Sequence, residues 1–320
     1  MARDLVRDYG ADPSGQADTN AAFGHALCIG GGRVDVPAGV YRLDNPVHVH
    51  ARFGQRSPWL AGEGQNATVI QLTNPTQPAF VFGDGPGLPT LIQPRVSNIQ
   101  IVYASTASVD VPMFMLQNVK GFLMENCWLR EYRCMVQVGV QEDGLARSCE
   151  DIHFVNVKAD PAPDNWYQSQ PIARSVVRID NVNGLFMERC SISGATNQVA
   201  VHFNARGTTT IDTVYISHSL FKDFAVGVRA GEGTASNVMF DHVNFDKIES
   251  VAVHMETGPG TKLTNFQFDG CWYHSKHVGV LASASSGGEI IRGSINGGSM
   301  DNAPHPFLLY APVDVRRTGI

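Results

Sequence analysis

No stretch of the sequence approaches the roughly 18 consecutive apolar residues of a membrane-spanning helix, and Met1-Ala-Arg-Asp-Leu-Val lacks the apolar core of a signal peptide. A membrane partner is therefore not expected. The six cysteines (Cys28, Cys127, Cys134, Cys149, Cys190 and Cys271) include no C-x-x-C pair, so neither a zinc site nor any other resident metal or cofactor is expected, and they read as thiols, several of them buried. There is no run of Lys and Arg: 24 basic residues face 30 acidic ones, a net charge of −6, which argues against a nucleic-acid backbone as partner and leaves neutral or acidic glycans open. Gly30-Gly-Gly and Gly258-Pro-Gly-Thr lack the spacing and the Lys-Ser/Thr of a phosphate loop, and no Gly-x-Ser-x-Gly elbow occurs, so acyl-transfer chemistry has no support.

What the sequence does contain is a repeat. Gly121-Phe-Leu-Met-Glu-Asn-Cys127 aligns with Asp151–Val157, Gly184–Cys190, Thr213–Ser219, Asn237–Val243 and Asn265–Cys271, each apolar at its second and fourth places and apolar or small at its seventh. Asn126, Asn156, Arg189, His218, His242 and Gly270 are separated by 30, 33, 29, 24 and 28 residues. Alternation within each copy is the mark of a strand, and a variable step is what a stacked solenoid absorbs in its loops. A weaker copy precedes these at Asn98-Ile-Gln-Ile-Val102, and another follows near Glu289-Ile-Ile. The longest step holds the Pro-rich loop Ala159–Pro171. The seventh places predict an interior column of Cys127, Val157, Cys190, Ser219, Val243 and Cys271. A second strand is predicted at Val199–Val201, Val226–Val228, Val251–Val253 and Val278–Val280.

The segment Val6-Arg-Asp-Tyr-Gly-Ala-Asp-Pro-Ser-Gly-Gln-Ala-Asp-Thr-Asn-Ala-Ala22 and the later Gly30-Gly-Gly-Arg-Val-Asp-Val-Pro-Ala-Gly-Val-Tyr41 read as a strand and turn, a short helix capped by Asp18 or Thr19 and running through Leu27, and then a strand, a turn and a strand. This order resembles the N-terminal signature of the pectate-lyase-like β-helix superfamily, and within it the phage tailspike and depolymerase branch. Together with the repeat, the resemblance implies an all-β chain: a right-handed, single-stranded parallel β-helix with a short N-terminal capping helix. Residues 1–95 are expected to form the cap and first coils and residues 96–320 the repeated coils, as one continuous domain. The last residues, Asp314–Ile320, offer no strong cap, so another domain or a partner chain is expected to cover that end.

Outward side chains of stacked coils fall into columns about 4.8 Å apart. The fifth place yields Glu125, Val155, Glu188, Ser217, Asp241 and Asp269. Asp241 and Asp269 on adjacent coils would approach the spacing of about 5–5.5 Å found in retaining glycosidases, with Glu188 as an alternative acid, and two close carboxylates would raise one pKa as a general acid requires. The plain alternative is solvated carboxylates at strand ends. On the second strand, Gln137, Ala200, Gly227, Ala252 and Gly279 predict a shallow floor edged by His202, Arg229 and His254, where Arg can neutralise a uronate and His can move a proton. The alternative there is a surface for another subunit or a loop. Trp166 and Tyr167 are placed to reach over a bound chain, or else to anchor their own loop; Trp128 and Trp272 are placed outward; and His218 and His242, neighbours in the turn column that could share a metal, lack a third ligand of convincing spacing and read as stacked or hydrogen-bonded turn residues.

These readings lead to a tailspike-like protein that binds and depolymerises a bacterial surface polysaccharide by hydrolysis or elimination, the alternative being a non-catalytic virion decoration or receptor-binding scaffold. The dense acidic cluster of calcium-dependent pectate lyases is missing, so no calcium-assisted mechanism is expected. The resemblance also implies a homotrimer, other virion proteins as partners, and a virion or extracellular location.

Overall fold

The computed structural model describes residues 2–30, 32–51, 57–83, 89–105, 111–142, 145–161, 174–205, 209–284, 288–310 and 313–318. Its strands are stacked in parallel to form a β-solenoid, and the chain divides into two compact units: Met1–Gln137 with Cys149–Pro163, and Val138–Ser148 with Asp164–Ile320.

In the first unit one sheet stacks Arg3–Asp4, Arg33–Val36, Trp59–Gly62, Arg95–Ser97, Leu123–Glu125 and Cys149–Val155 in that order. A second sheet stacks Ser14–Asp18, Gly39–Leu43, Thr68–Leu72, Gln100–Tyr103, Trp128–Tyr132 and Lys158–Pro161. In the second unit the corresponding first sheet runs through Val182–Glu188, Thr210–Ser217, Thr234–Asp241, Lys262–Asp269, Glu289–Asn296 and Val313–Thr318.

The repeat explains this stacking place by place. Second- and fourth-place residues such as Phe122, Met124, Val238 and Phe240 are buried, and like rings sit on like rings: Phe240 on Phe268, with centroids 4.8 Å apart and planes 8° from parallel. The seventh-place residues are interior as expected, Cys127 and Val157 in the first unit and Cys190, Ser219, Val243 and Cys271 in the second. Burial pushes the Cys127 thiol up to about 12 and the Cys271 thiol up to about 11, so both stay protonated and unreactive. The sixth place is the corner between two sheets, where Asn126, Asn156, His218 and His242 all have left-handed backbone, φ +48 to +53. Asn accepts that conformation readily, and Asn156 Nδ2 donates to Asn126 Oδ1 on the coil before it at 2.7 Å.

The N-terminus departs from expectation in its first element and in the role of Thr19. Leu5–Tyr9 is a short helix rather than a strand, because Asp4 accepts from the Val6 and Arg7 amides and Gly10, at φ +70, closes the far end. The second helix, Asn20–Gly24, continues as a π-helical turn over His25–Gly30. Thr19 stands at its start, but its hydroxyl donates to the Arg42 carbonyl instead of capping the helix. Phe23 drives this cap into the core of the first unit, edge-on to Tyr41 and Phe80. The signature's Asp12 accepts from the Ser14, Gln16 and Ala17 amides, and a Cβ on Gly39 would meet the Pro13 carbonyl at 2.7 Å, so its turn residues are fitted to one another.

Candidate functional site

The first place of each repeat also has left-handed backbone: Gly121 and Asp151 in the first unit, Gly184, Thr213, Asn237 and Asn265 in the second. Gln93 and Arg292 take the same place on flanking coils, and Asn98, read from the sequence as the start of a weaker copy, stands instead at the sixth place opposite Asn126. A left-handed residue inside a strand bends it as a bulge does and turns the flanking outward side chains apart, so successive coils with the same bend leave a furrow. In the first unit this furrow is a cleft of about 800 Å³ lined by Gly32, Gln93, Gly121 and Asp151 together with the register column Arg33, Trp59, Arg95, Leu123 and His153.

The chemistry of that column is cationic and aromatic. Trp59 lies between two strands that each supply a guanidinium, Arg33 at 4.6 Å and Arg95 at 5.1 Å from its ring centroid. The indole N–H donates to Ser97 Oγ at 3.0 Å, which fixes the ring, and the ring in turn fixes both cations. Arg33 also pairs with Asp35 at 2.7 Å. Towards the other end, burial pushes the half-buried His153 imidazole below its ordinary value against the opposing pull of Asp151, so it is neutral at neutral pH. In the second unit the same bend forms a smaller hollow of about 420 Å³ beside Asn237, Asn265 and Arg292. There Asn265 Nδ2 donates to Asn237 Oδ1 and Asn237 Nδ2 to Asp212 Oδ1, both at 2.8 Å.

The residues singled out from the sequence are distributed differently. Glu188, Ser217, Asp241, Asp269 and Asn296 form one register column in the second unit. Glu188 is exposed and pairs with Arg189 at 3.2 Å, and Gln267 Nε2 donates to Asp269 at 3.4 Å. Asp241 is mostly covered. Burial alone would raise its carboxyl, but hydrogen bonds from His242 Nδ1 at 2.6 Å and Tyr215 Oη at 2.9 Å outweigh it and hold the group below the usual carboxylate range, the direction opposite to that of a general acid.

His202, Arg229 and His254 do share a register column. His202 is buried, however, with Nδ1 2.9 Å from Ser175 Oγ, while Arg229 and His254 are half-buried and His254 Nε2 lies 3.6 Å from Glu256. The small residues beside them do not form an outer floor: Ala200 and Ala252 are fully buried, and a Cβ on Gly227 would meet the Ala252 carbonyl at 2.4 Å and the Phe245 ring at 2.7 Å. Their smallness is a packing requirement. Gln137 is buried and belongs to the first unit; Trp166 and Tyr167 lie outside the described residues. The two remaining tryptophans are tied to neighbouring coils, Trp128 donating to Asp160 and Trp272 to Asp301, each at 2.7 Å.

Sequence reasoning missed the first-unit cleft because it followed the fifth place and the second strand. Part of the signal was present at the first place, where Gly121, Asp151, Asn237 and Asn265 are residue types that tolerate left-handed backbone.

No family model and no curated protein matches the chain. Solved structures do. The tailspike protein of Acinetobacter baumannii phage AM24 superposes with a TM-score of 0.64 at 13% identity, covering 100% of this chain and 54% of its own. ORF18 of Geobacillus virus E2 gives 0.56 at 13% identity, over 97% of this chain and 59% of that protein. The fold shared with these two viral proteins is the parallel β-helix. The A-module of the Azotobacter vinelandii mannuronan C-5 epimerase AlgE4 shares this β-helix at a TM-score of 0.52 and 13% identity, over 100% of this chain and 96% of the module. The chain thus spans little more than half the length of the two viral β-helix proteins.

Proposed function

We propose that this tailspike-like β-helix binds an anionic bacterial surface polysaccharide in the cleft of its first unit. The Arg33–Trp59–Arg95 ladder carries the reading. Guanidinium forks match carboxylate and sulfate geometry, and two of them held by one ring lose little entropy on binding. Because each side of Trp59 already faces a guanidinium, the ring serves to position the cations rather than to stack on a pyranose. The neighbours include a tailspike and a mannuronan epimerase, which supports a polysaccharide as the partner class.

The test is calorimetric titration with capsular and exopolysaccharides, charged and neutral. Acidic glycans bind and neutral ones do not; Arg95→Gln and Trp59→Ala each lower the affinity, the latter by about 1 kcal/mol for each stack lost. Equal binding of both classes, or affinity indifferent to both substitutions, rejects the reading.

A second reading, cleavage of the glycan in the second unit, is favoured by Asp241 and Asp269 standing in register on adjacent coils. Reducing ends and the ultraviolet absorbance of unsaturated uronates are followed together. Reducing ends alone indicate hydrolysis, which Asp241→Asn or Asp269→Asn then slows at least about 100-fold; both signals indicate elimination, with Arg229 and His254 as the groups to replace. Silence over a wide panel leaves a receptor-binding scaffold on a virion.

A further inference from the structure

The corner column of the second unit contains a cluster that shares only Asp241 with the second reading and whose two histidines neither reading uses. His218 and His242 occupy the sixth place on consecutive coils, where left-handed backbone at φ +48 and +51 points both side chains off the corner in the same sense. Their rings are stacked, with centroids 5.5 Å apart and planes 5° from parallel. Asp241 immediately precedes His242. One ligand atom from each of the three, an imidazole nitrogen from each His and an Asp241 oxygen, lies within 4.8 Å of the others.

We propose that His218, Asp241 and His242 form a binding site for a divalent transition-metal ion of the zinc class. Two neutral imidazoles and one carboxylate are a donor set for zinc, cobalt or nickel rather than for calcium, which takes oxygen ligands. Donors about 2.1 Å from an ion stand about 3–3.5 Å from one another, so the ligand atoms, all within 4.8 Å, reach a common ion when the two imidazole planes tilt towards it and the His242–Asp241 hydrogen bond opens to admit it. The carboxylate is already oriented. Tyr215 donates to Asp241 Oδ2 at 2.9 Å, which leaves Oδ1 turned to His242 Nδ1 at 2.6 Å, the arrangement in which an outer hydrogen bond fixes a ligand. The next corner residue is Gly270, where a Cβ would stand 3.0 Å from His242 Nε2; its absence leaves that imidazole uncovered. Three protein donors on an exposed corner leave at least one coordination position for water or an outside ligand. The site stands whether or not the second unit cleaves a glycan.

The test uses the full chain without an affinity tag and follows Co²⁺ by its visible absorption, with Zn²⁺ as competitor. One equivalent of Co²⁺ is expected to bind and to be displaced by Zn²⁺. His218→Asn, His242→Asn and Asp241→Asn are each expected to weaken binding at least about tenfold. Asn already occupies the corner in other coils, at Asn126 and Asn156, so the two histidine replacements retain the backbone. His48→Asn, in the stacked His48–His50 pair of the first unit, is the control and leaves the titration unchanged. Absence of saturable binding overturns the proposal, as does binding that survives replacement of either corner histidine or that is lost in the His48 variant.

Discussion

Trp59 illustrates how little of a residue's role is visible from its type. An outward tryptophan on a β-helix invites a sugar-stacking assignment, yet its ring is flanked by Arg33 and Arg95, and its contribution is to hold two charges at a fixed spacing. Histidines on the same scale set the response to pH. Burial lowers His153 and, with the added repulsion of Arg229, His254. A histidine whose folded pKa lies below its unfolded value of about 6.5 contributes stability that is complete above that value and is lost as pH falls through the folded one, because the unfolded chain takes up the proton first. Thermal midpoints are therefore expected to decline as pH falls below about 6.5, and the decline should be shallower in a His153→Gln, His254→Gln double variant. An unchanged slope would assign the acid sensitivity to other groups.

Among elements, the unit that matters is the coil corner. Each seven-residue copy has left-handed residues at its first and sixth places, so one strand both bends to open the furrow and turns towards the next sheet. Replacement of Asn126 separates backbone from side chain: Asn126→Gly keeps the corner and sacrifices only the bond from Asn156, whereas Asn126→Val adds about 1–2 kcal/mol of left-handed strain. Urea denaturation of the two variants checks this, and equal midpoints would show that the corner carries no such strain. The aromatic ladders inside the coils, Phe221 on Phe245 on Tyr273 among them, repeat at the coil spacing for the same reason the corners do. The Gly227 position belongs to this scale too, its smallness set by a ring and a carbonyl on the next coil.

At the scale of the molecule, the homotrimer expected from the N-terminal signature's resemblance is tested by light scattering, which would return three times the chain's 34.7 kDa. A monomer mass that persists at high concentration would overturn that expectation.

The solenoid itself was legible in the sequence: period-2 alternation and a step of 24 to 33 residues specify which side chains face inward, and Cys127, Val157, Val243 and Cys271 are interior for that reason. So was the register of the carboxylate and His–Arg–His columns, since equivalent places in a repeat must stack. Whether a place that faces away from the core is open to a ligand was not legible. His202 and Ala200 are covered, Asp241 is held by a histidine and a tyrosine, and Arg33, Trp59 and Arg95 converge from a segment in which the repeat is not legible. Periodicity is a local property that propagates along the chain, so it determines inside from outside. Exposure, proton affinity and the meeting of donors depend on where backbone bends bring separate coils together, and only the tertiary structure decides that.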